Sequence, residues 1–368
     1  MFEPQSTVVF ALLVLIFGAL MWVTLATRWL ALRVAGACLV FLPAMATGIL
    51  AVNKYYDYYQ TWGAAMADLA GPAGTPVPAA QLQLASITAR GPALRLARQQ
   101  GYVLRVAMTG RRSHLTRTVY VYLPPEYFQP AYRRYRFPVI ELIHGSPGEP
   151  QDWINVVGVT RILRHLVALG QARPAVLLMP DANGARNIDL QCLNQARGPQ
   201  DLTYLAVDLP DQLGQLARVQ PPGRAWGIAG YSSGGYCAVN MALQFRQRYG
   251  FAGVLSGYFA PSDNQLVNPL REVDPFGGNY RLREQNNPLD EVETLPPRTV
   301  LPQFWLAAGR DNPGDVQQAQ LMLQGLRLLQ PRVSLTLNPG LGHNMTTWRA
   351  EVPPMLCWMT QGLARATG

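Results

Sequence analysis

Two long uncharged stretches lie at the start of the chain. Residues 7–26, TVVFALLVLIFGALMWVTLA, contain no charged residue, and residues 34–52 form a second stretch without charge. A helix of about 20 apolar residues crosses the hydrocarbon core of a bilayer. We therefore predict a membrane anchor of two helices, within residues 7–26 and 30–52, joined by a tight turn.

The charged residues around these stretches predict their orientation. Arg28 and Arg33 lie in the connection between the two helices, and the positive-inside rule places a basic connection on the cytoplasmic side. The N terminus and everything after Val52 are then outside. A cleaved signal peptide is the alternative for the first stretch, but such a peptide begins with positive charge, and here Glu3 precedes any Lys or Arg. Cys38 precedes most of the second stretch, so it does not have the position of a lipoprotein cysteine, which follows one.

The next part of the chain has little periodicity. Residues 55–62, YYDYYQTW, are typical of an aromatic anchor at the membrane interface. Residues 63–100 are rich in Ala, Gly and Pro, as in a spacer. We therefore assign residues 53–100 to a linker and residues 101–368 to a separate domain.

From residue 101 onwards, short apolar segments alternate with segments of helical spacing. The predicted strands are YVLRVAM, LTRTVYVYL, PVIELIH, AVLLMP, AWGIA, AGVLSG, QFWLAAG and RVSLTLN. The predicted helices cover residues 158–169, 202–218, 235–248, 315–329 and 348–364. Two strands in succession, followed by strands that alternate with helices, indicate an α/β fold with a mostly parallel, doubly wound sheet of eight strands. The Pro-rich residues 265–298 have no clear periodicity and are predicted to form an insertion or lid.

The fifth predicted strand leads into the motif G-x-S-x-G, formed by Gly230, Ser232 and Gly234. Only Ser232 fits, because Tyr231 stands where Ser233 would need a glycine. The flanking glycines are required since such a nucleophile lies at a sharp turn from strand to helix. Eight strands with the candidate nucleophile after the fifth are the order of an α/β-hydrolase, which is the fold we predict. We therefore predict Ser232 as a nucleophile; the alternative is a tight packing turn with incidental serines.

A serine nucleophile needs a histidine base, and the base needs an orienting carboxylate. In this fold the order along the chain is Ser, then acid, then His. Of the four histidines only His343 follows Ser232, and it lies directly after the last predicted strand. Asp311 follows the penultimate strand and is the predicted acid. Asp315 is the alternative, and it would also suit the N-terminal end of a helix.

Two backbone N–H groups are needed to stabilise the oxyanion that forms during acyl transfer. We expect one from Ser233, directly after the nucleophile, and the other from Ser146 in the loop HGSPGEPQDW. His144 is expected to shape that loop without a direct catalytic role. Trp153 and Tyr258 are candidates for the substrate pocket, although such aromatic residues more often lie in a core.

The formal net charge of +9 raises the question of nucleic-acid binding. The basic residues are scattered and no nucleic-acid motif is present, so we expect none. A basic domain also suits an anionic envelope surface. Lys54 is the only lysine, and this preference for arginine is typical of a high-GC genome and indicates an actinobacterial source.

Of the four cysteines, Cys38 lies in a predicted membrane helix. Cys192 lies in the loop region after AVLLMP, and Cys237 lies five residues after Ser232. We hypothesise that these two cysteines pair and tie the loop to the nucleophile helix, which is permitted if the domain is outside. No C-x-x-C pair or His/Cys cluster indicates a metal.

Five segments carry a resemblance to a known family. HGSPG, GYSSGGYCAVNMAL, SGYF, AAGRDNP and GHNMTTW closely resemble the Putative esterase family, which includes esterase D and the mycolyltransferases of mycobacterial envelopes. The chain looks most like the membrane-anchored actinobacterial members, over roughly residues 101–365. The resemblance implies a triad of Ser232, Asp311 and His343 and acyl-ester chemistry without a cofactor. Mycolyltransferases use Glu as the acid, so Asp311 is similar to the esterase branch.

We therefore expect a membrane-tethered, extracytoplasmic serine esterase that acts on acyl esters, with an envelope lipid or glycolipid as a candidate substrate. An acyltransferase, in which a sugar or lipid hydroxyl replaces water, is the first alternative, because the outcome depends on how the acceptor pocket excludes water. A non-catalytic envelope binding protein is the second alternative, since a fold does not guarantee activity.

Overall fold

The chain folds as two units. The computed structural model describes residues 2–70, 75–80, 91–185, 189–261, 274–330 and 332–367. One unit comprises Met1–Gly74 with Asn344–Thr346, and the other comprises Thr75–His343 with Thr347–Gly368.

The first unit contains α1 (Thr7–Ala26), α2 (Leu30–Tyr56) and α3 (Trp62–Leu69). The Ser6 hydroxyl caps α1 by accepting the Val8 N–H at 3.3 Å. Helices α1 and α2 pack against each other, and both are long and apolar enough to cross a membrane. No residue of α1 is buried. A helix that is apolar on all sides is stable where a core or lipid covers it, and these two helices are what points to membrane association.

Nine strands form one sheet in the described part of the second unit. They are β1 (Val77–Pro78), β2 (Tyr102–Thr109), β3 (Thr116–Leu123), β4 (Val139–Ile143), β5 (Val176–Pro180), β6 (Gly223–Tyr231), β7 (Tyr249–Leu255), β8 (Gln303–Gly309) and β9 (Ser334–Asn338). The order across the sheet is β1-β2-β3-β5-β4-β6-β7-β8-β9. Strand β3 is antiparallel to β2 and β5, and the other pairs are parallel. All eight predicted strands are confirmed as β2 to β9, and β1 is an additional short strand at the edge.

The central strands explain why the pattern predicted a parallel sheet. Every residue of β4 and of β5 is buried. Parallel strands are covered on both faces and therefore have continuous apolar sequences, whereas half-exposed strands alternate. The carboxyl ends of β4, β6 and β8 lie at the same edge of the sheet, which is where ligand-binding loops collect in such folds.

The helices of the second unit accompany this sheet. They are α4 (Gly91–Gln100), α5 (Asp152–Asn155), α6 (Val159–Ala168), α7 (Asp201–Thr203), α8 (Leu209–Leu216), α9 (Ser233–Gln244), α10 (Tyr280–Glu284), α11 (Pro288–Thr294), α12 (Pro313–Leu329) and α13 (Met345–Thr367). The predicted helix over 202–218 is interrupted by a π-helical turn, Tyr204–Asp208, between α7 and α8. Pro210 follows this turn and has no N–H to donate to Ala206, so the regular α-helical ladder cannot continue there.

Part of the predicted linker is folded. Helix α4 lies within residues 53–100, and its Ala97 is only 2 % exposed in the hydrophobic core. The Arg98 Nε also donates to the Phe128 carbonyl at 3.1 Å. The linker prediction is therefore wrong for residues 91–100, where a short amphipathic helix buries one stripe and keeps its arginines outside. The end of α2, to Tyr56, and all of α3, Trp62–Leu69, are also helical within the predicted linker. Residues 71–74 and 81–90 lie outside the described residues.

The predicted insertion or lid, residues 265–298, is described only from residue 274 onwards. That part contains α10 and α11. Asn286 lies between these two helices. Its carbonyl oxygen accepts a hydrogen bond from the Tyr236 hydroxyl (2.6 Å), and its Oδ1 accepts one from Asn240 Nδ2 (3.1 Å). The described part of the insertion is therefore anchored on α9, and the lid prediction for residues 265–273 lies outside the described residues.

Candidate active site

Ser232 lies at a sharp turn between β6 and α9. Its backbone has φ 56° and ψ −123°, a conformation that residues with a side chain rarely adopt. A Cβ on Gly230 would lie 2.1 Å from the Gly234 carbonyl oxygen, and a Cβ on Gly234 would lie 2.3 Å from the Ile143 carbonyl oxygen. Both flanking positions therefore accept only glycine, for the steric reason that selected Ser232 in the sequence.

His343 contacts Ser232 and an aspartate at once. Its Nε2 lies 3.0 Å from Ser232 Oγ, and its Nδ1 lies 2.8 Å from Asp315 Oδ2. An ionised carboxylate only accepts hydrogen bonds, so Nδ1 carries the ring proton and Nε2 is left to accept the serine hydroxyl. The His343 and Asp315 side chains are 28 % and 13 % exposed, so the triad is open to a substrate on the histidine side.

Asp311 does not take part in this arrangement. It lies in the turn after β8, its side chain is exposed, and its N–H donates to the Leu341 carbonyl at 2.9 Å. The structure thus contradicts the prediction of Asp311 as the partner of His343, and Asp315 takes that place. The physical reason is that α12 begins at Pro313, after an Asn312 side-chain cap that accepts the Asp315 N–H at 3.2 Å. The first turn of this helix brings Asp315, and not the preceding turn residue, against the imidazole.

The loop after β4 passes directly beside the nucleophile. A Cβ on Gly145 would lie 3.2 Å from the Ser232 Cβ. Ser146 follows Gly145, and Ser233 is the first residue of α9, where backbone N–H groups have no acceptor within the helix. The two residues predicted to supply oxyanion donors therefore lie on the two segments that meet at Ser232.

His144 supports this loop from the buried side. Its Nε2 accepts the Ala182 N–H at 3.1 Å, so Nδ1 carries the proton and donates to the Gly145 carbonyl at 2.8 Å. The side chain is 1 % exposed. His144 thus joins the loops after β4 and β5, in agreement with its predicted shaping role.

A buried acid, Asp189, lies on the far side of the nucleophile turn and was missed in the sequence. Its carboxylate accepts the Gln191 N–H at 3.0 Å and the Ser233 hydroxyl. Burial raises the pKa of Asp189 to about 6, and these two hydrogen bonds act in the opposite direction. In the same loop Cys192 forms a disulfide with Cys237 of α9. The loop after β5 is therefore attached to the nucleophile helix by two different bonds.

A second buried carboxyl, Glu351 of α13, lies behind the triad acid. Its Oε1 accepts Asn338 Nδ2 at 2.8 Å. Burial raises the pKa of Glu351 to about 8, and the neighbouring Asp315 contributes to the rise. Glu351 is therefore mostly protonated at pH 7 and adds no full negative charge beside Asp315. Neither Glu351 nor Asp189 has a local sequence motif that could have identified it.

The two aromatic pocket candidates differ in position. Trp153 is fully buried and packs on Tyr231 with ring centroids 5.0 Å apart, so it belongs to the core. Tyr258 is partly exposed and stacks on Tyr236 at 5.1 Å. Among the described residues, no group of His, Cys, Asp and Glu has the arrangement of a metal site.

A serine, a histidine and an aspartate in contact at the carboxyl edge of a mostly parallel sheet define the α/β-hydrolase class. The family model described as Putative esterase matches residues 112–359. This match covers well over half of the chain, and the chain belongs to the Putative esterase family.

Solved structures show the same fold. A ferulic acid esterase superposes with a TM-score of 0.62 at 20 % identity, covering 72 % of this chain and 99 % of that one. An S-formylglutathione hydrolase from Agrobacterium tumefaciens has a TM-score of 0.59 at 17 % identity, covering 72 % of this chain and 96 % of the other. At such identities the likeness concerns the fold.

Curated relatives match over shorter lengths. An uncharacterised protein of Corynebacterium glutamicum is 27 % identical over 199 residues, which is 52 % of this chain and 45 % of the relative. The MPT51 antigen of Mycobacterium leprae is 39 % identical over 77 residues, which is 21 % of this chain and 25 % of the antigen. The chain therefore spans less than half the length of these relatives.

Proposed function

We propose that this protein is a membrane-tethered, extracytoplasmic serine esterase that cleaves acyl esters through Ser232, His343 and Asp315. The observation that carries the proposal is the imidazole of His343, held between Ser232 Oγ at 3.0 Å and Asp315 Oδ2 at 2.8 Å. A nucleophile and a base in hydrogen-bond contact, with the base oriented by a third group, are the geometry of an activated serine. Membership of the Putative esterase family supports the same chemistry.

The chemistry has two halves. Ser232 Oγ attacks the acyl carbonyl while His343 Nε2 takes the hydroxyl proton; the tetrahedral intermediate then collapses, and the imidazolium protonates the departing alcohol. Water next attacks the acyl-enzyme with His343 again as base, which releases the acid and restores the serine. Asp315 holds the proton on Nδ1 and stabilises the imidazolium that forms in each half.

The oxyanion is stabilised by the backbone N–H groups of Ser146 and Ser233. Each such donor contributes roughly 3 kcal/mol to transition-state stabilisation in comparable sites. The position of Ser233 at the start of α9 supports this role because its N–H has no helical acceptor. The bond from its hydroxyl to Asp189 also restricts how that residue can turn.

Two features support a location outside the cytoplasm. The three-residue connection between α1 and α2 contains Arg28, and Arg33 lies in the first turn of α2, which favours a cytoplasmic connection and an external hydrolase domain. The disulfide between Cys192 and Cys237 persists in an oxidising compartment and is rare in the cytosol.

The first test is labelling of the full-length protein by a fluorophosphonate probe. We expect wild type and Ser233→Ala to label, since alanine keeps the backbone N–H, and Ser232→Ala not to label. Folded wild-type protein that does not label would contradict the proposal and favour a non-catalytic binding protein.

Product analysis then separates hydrolysis from transfer. A p-nitrophenyl acyl ester is supplied with water alone or with trehalose, glycerol or a glycolipid as acceptor. Free acid as the main product in every case agrees with an esterase. If acylated acceptor is the main product, the protein is an acyltransferase and the esterase proposal is wrong.

A further inference from the structure

Three buried aromatic rings form a row beside the triad, here called the aromatic row: Trp348, Tyr231 and Trp153. Trp348 meets the His343 ring nearly at right angles, at 86°, with centroids 5.1 Å apart. Trp348 stacks on Tyr231 at 4.6 Å, and Tyr231 meets Trp153 at 5.0 Å. All three are at most 5 % exposed, so the row is rigidly packed.

The row also reaches the loop that carries Ser146. A Cβ on Gly145 would lie 2.8 Å from Tyr231 Cε2, so the Tyr231 ring lies directly against the backbone of this loop. Tyr231 immediately precedes Ser232 in the chain. The aromatic row thus contacts the proposed base, His343, at one end, includes the residue before Ser232, and contacts the loop with a proposed oxyanion donor.

The hydrogen bonds of His343 leave one motion unrestrained. Bonds at Nδ1 and Nε2 hold two points of the ring, but the imidazole can still tilt about the line that joins them. A bulky ring packed perpendicular to the imidazole opposes this tilt. Within the described part of the chain, the buried Trp348 Nε1 has no hydrogen-bond partner, so Trp348 acts here through the shape of its ring and not through its N–H.

We propose that Trp348 is a positioning residue that holds His343 in the plane needed for proton transfer, and that Tyr231 transmits this packing to the Ser146 loop. The inference rests on the proposed function, because it concerns how the same triad is aligned. It predicts that an aromatic ring at position 348 is needed for turnover more than for substrate binding.

The kinetic test compares four variants of the full-length protein in detergent: Trp348→Phe, Trp348→Leu, Trp348→Met and Trp358→Leu. The last is the matched control, since Trp358 lies in the same helix but packs on Phe251, at 5.4 Å. Trp348→Met is included because the flexible Met side chain fills irregular core space, so this variant is expected to fold even if Trp348→Leu does not. The probe is p-nitrophenyl butyrate.

We expect Trp348→Leu and Trp348→Met to lower kcat by roughly 10- to 100-fold, the effect of a misplacement of about 1 Å, with little change in KM. Trp348→Phe should restore most of the activity, and Trp358→Leu should resemble wild type. Equal kcat values in all folded variants, or an equal loss in Trp358→Leu, would overturn the inference.

A second readout does not depend on activity. The chain has only four histidines, so ¹⁵N labelling of these residues allows the mobility of the His343 ring to be followed by NMR. We expect sharp His343 ring resonances in wild type, Trp348→Phe and Trp358→Leu, and resonances broadened by exchange between ring orientations in Trp348→Leu. Sharp His343 ring resonances in Trp348→Leu would contradict positioning by Trp348. Wild-type protein that does not react with the fluorophosphonate but shows this pattern of resonances contradicts the esterase and not the positioning.

Discussion

At the scale of single residues, the partner of His343 depends on where one helix begins. Asp311 and Asp315 lie four residues apart, and both satisfy the chain order that the fold requires. Asp311 lies in the turn after β8, whereas Asp315 lies in the first turn of α12, and of the two only Asp315 contacts His343.

This pair provides a direct prediction. Asp315→Asn keeps the shape of the side chain but no longer holds the productive His343 tautomer, so we expect kcat to fall by about 10³- to 10⁴-fold. Asp311→Asn, at an exposed side chain, should retain activity close to wild type. Hydrolysis of p-nitrophenyl butyrate measures both. A large loss in Asp311→Asn with normal activity in Asp315→Asn would restore the original assignment.

At the scale of elements, strand β4 has a carboxylic acid in its centre. Glu141 is fully buried, and its Oε2 accepts a hydrogen bond from the Tyr249 hydroxyl at 2.9 Å. Burial raises the pKa of Glu141 to about 8. Ionisation of Glu141 therefore costs more free energy in the folded state than in the unfolded state.

The sign of the resulting pH dependence follows from linkage. The folded pKa of about 8 lies above the ordinary value of 4.5, so the folded state binds the proton more tightly than the unfolded state. Stability from this group is fully present below about pH 4.5 and is lost as the pH rises towards 8. Glu141→Gln should therefore stabilise the protein at pH 8 by about 4 kcal/mol and have little effect at pH 4.

Thermal unfolding of the full-length protein at several pH values measures this effect. Glu284→Gln, at an exposed glutamate of α10, is the control and should leave the pH dependence unchanged. A Glu141→Gln variant that is equally destabilised at both pH values would show that the carboxyl is ionised and needed in the fold.

The disulfide between the β5 loop and α9 is a second prediction at this scale. Cys192 and Cys237 are 45 residues apart in the sequence. Closing a loop of that length restricts the unfolded chain by about 4 kcal/mol in the chain-entropy model. We expect the double variant Cys192→Ser, Cys237→Ser to unfold at a lower temperature than wild type, and non-reduced peptide maps of wild type to contain the linked pair. Free thiols at both positions would remove this support for an external domain.

At the scale of the whole molecule, the proposed function includes a topology in which α1 and α2 cross the membrane and the second unit lies outside the cytoplasm. In a chain whose free Cys38 and Cys357 are replaced by serine, single cysteines are introduced at Trp29 and Leu328, which are 74 % and 79 % exposed. In intact cells an impermeant maleimide should label Leu328→Cys, and it should label Trp29→Cys only after permeabilisation. The opposite pattern would place the hydrolase domain in the cytoplasm.

The sequence by itself determined the elements whose signals are local. Apolar segments identified the strands β2 to β9, most clearly the central parallel ones, because strands covered on both faces are largely apolar. The glycines around Ser232 singled it out as the candidate nucleophile because a side chain at either position collides with backbone. Chain order singled out His343 because the fold places the base last.

Only the tertiary structure decided the features that depend on contacts between distant segments. Asp315 rather than Asp311 faces His343 because α12 begins at Pro313. The apolar pattern of the sequence does not define the first residue of a helix to within a few residues. Helix α4 was taken for spacer because its apolar stripe is short and its burial comes from partners far along the chain. Asp189 and Glu351 carry no local motif, since their environment is set by groups from other segments. Trp348 ends the segment GHNMTTW, but its packing between His343 and Tyr231 is not visible in the sequence. Local sequence patterns report backbone conformation and burial, whereas the chemistry of a side chain is set by the groups that folding brings against it.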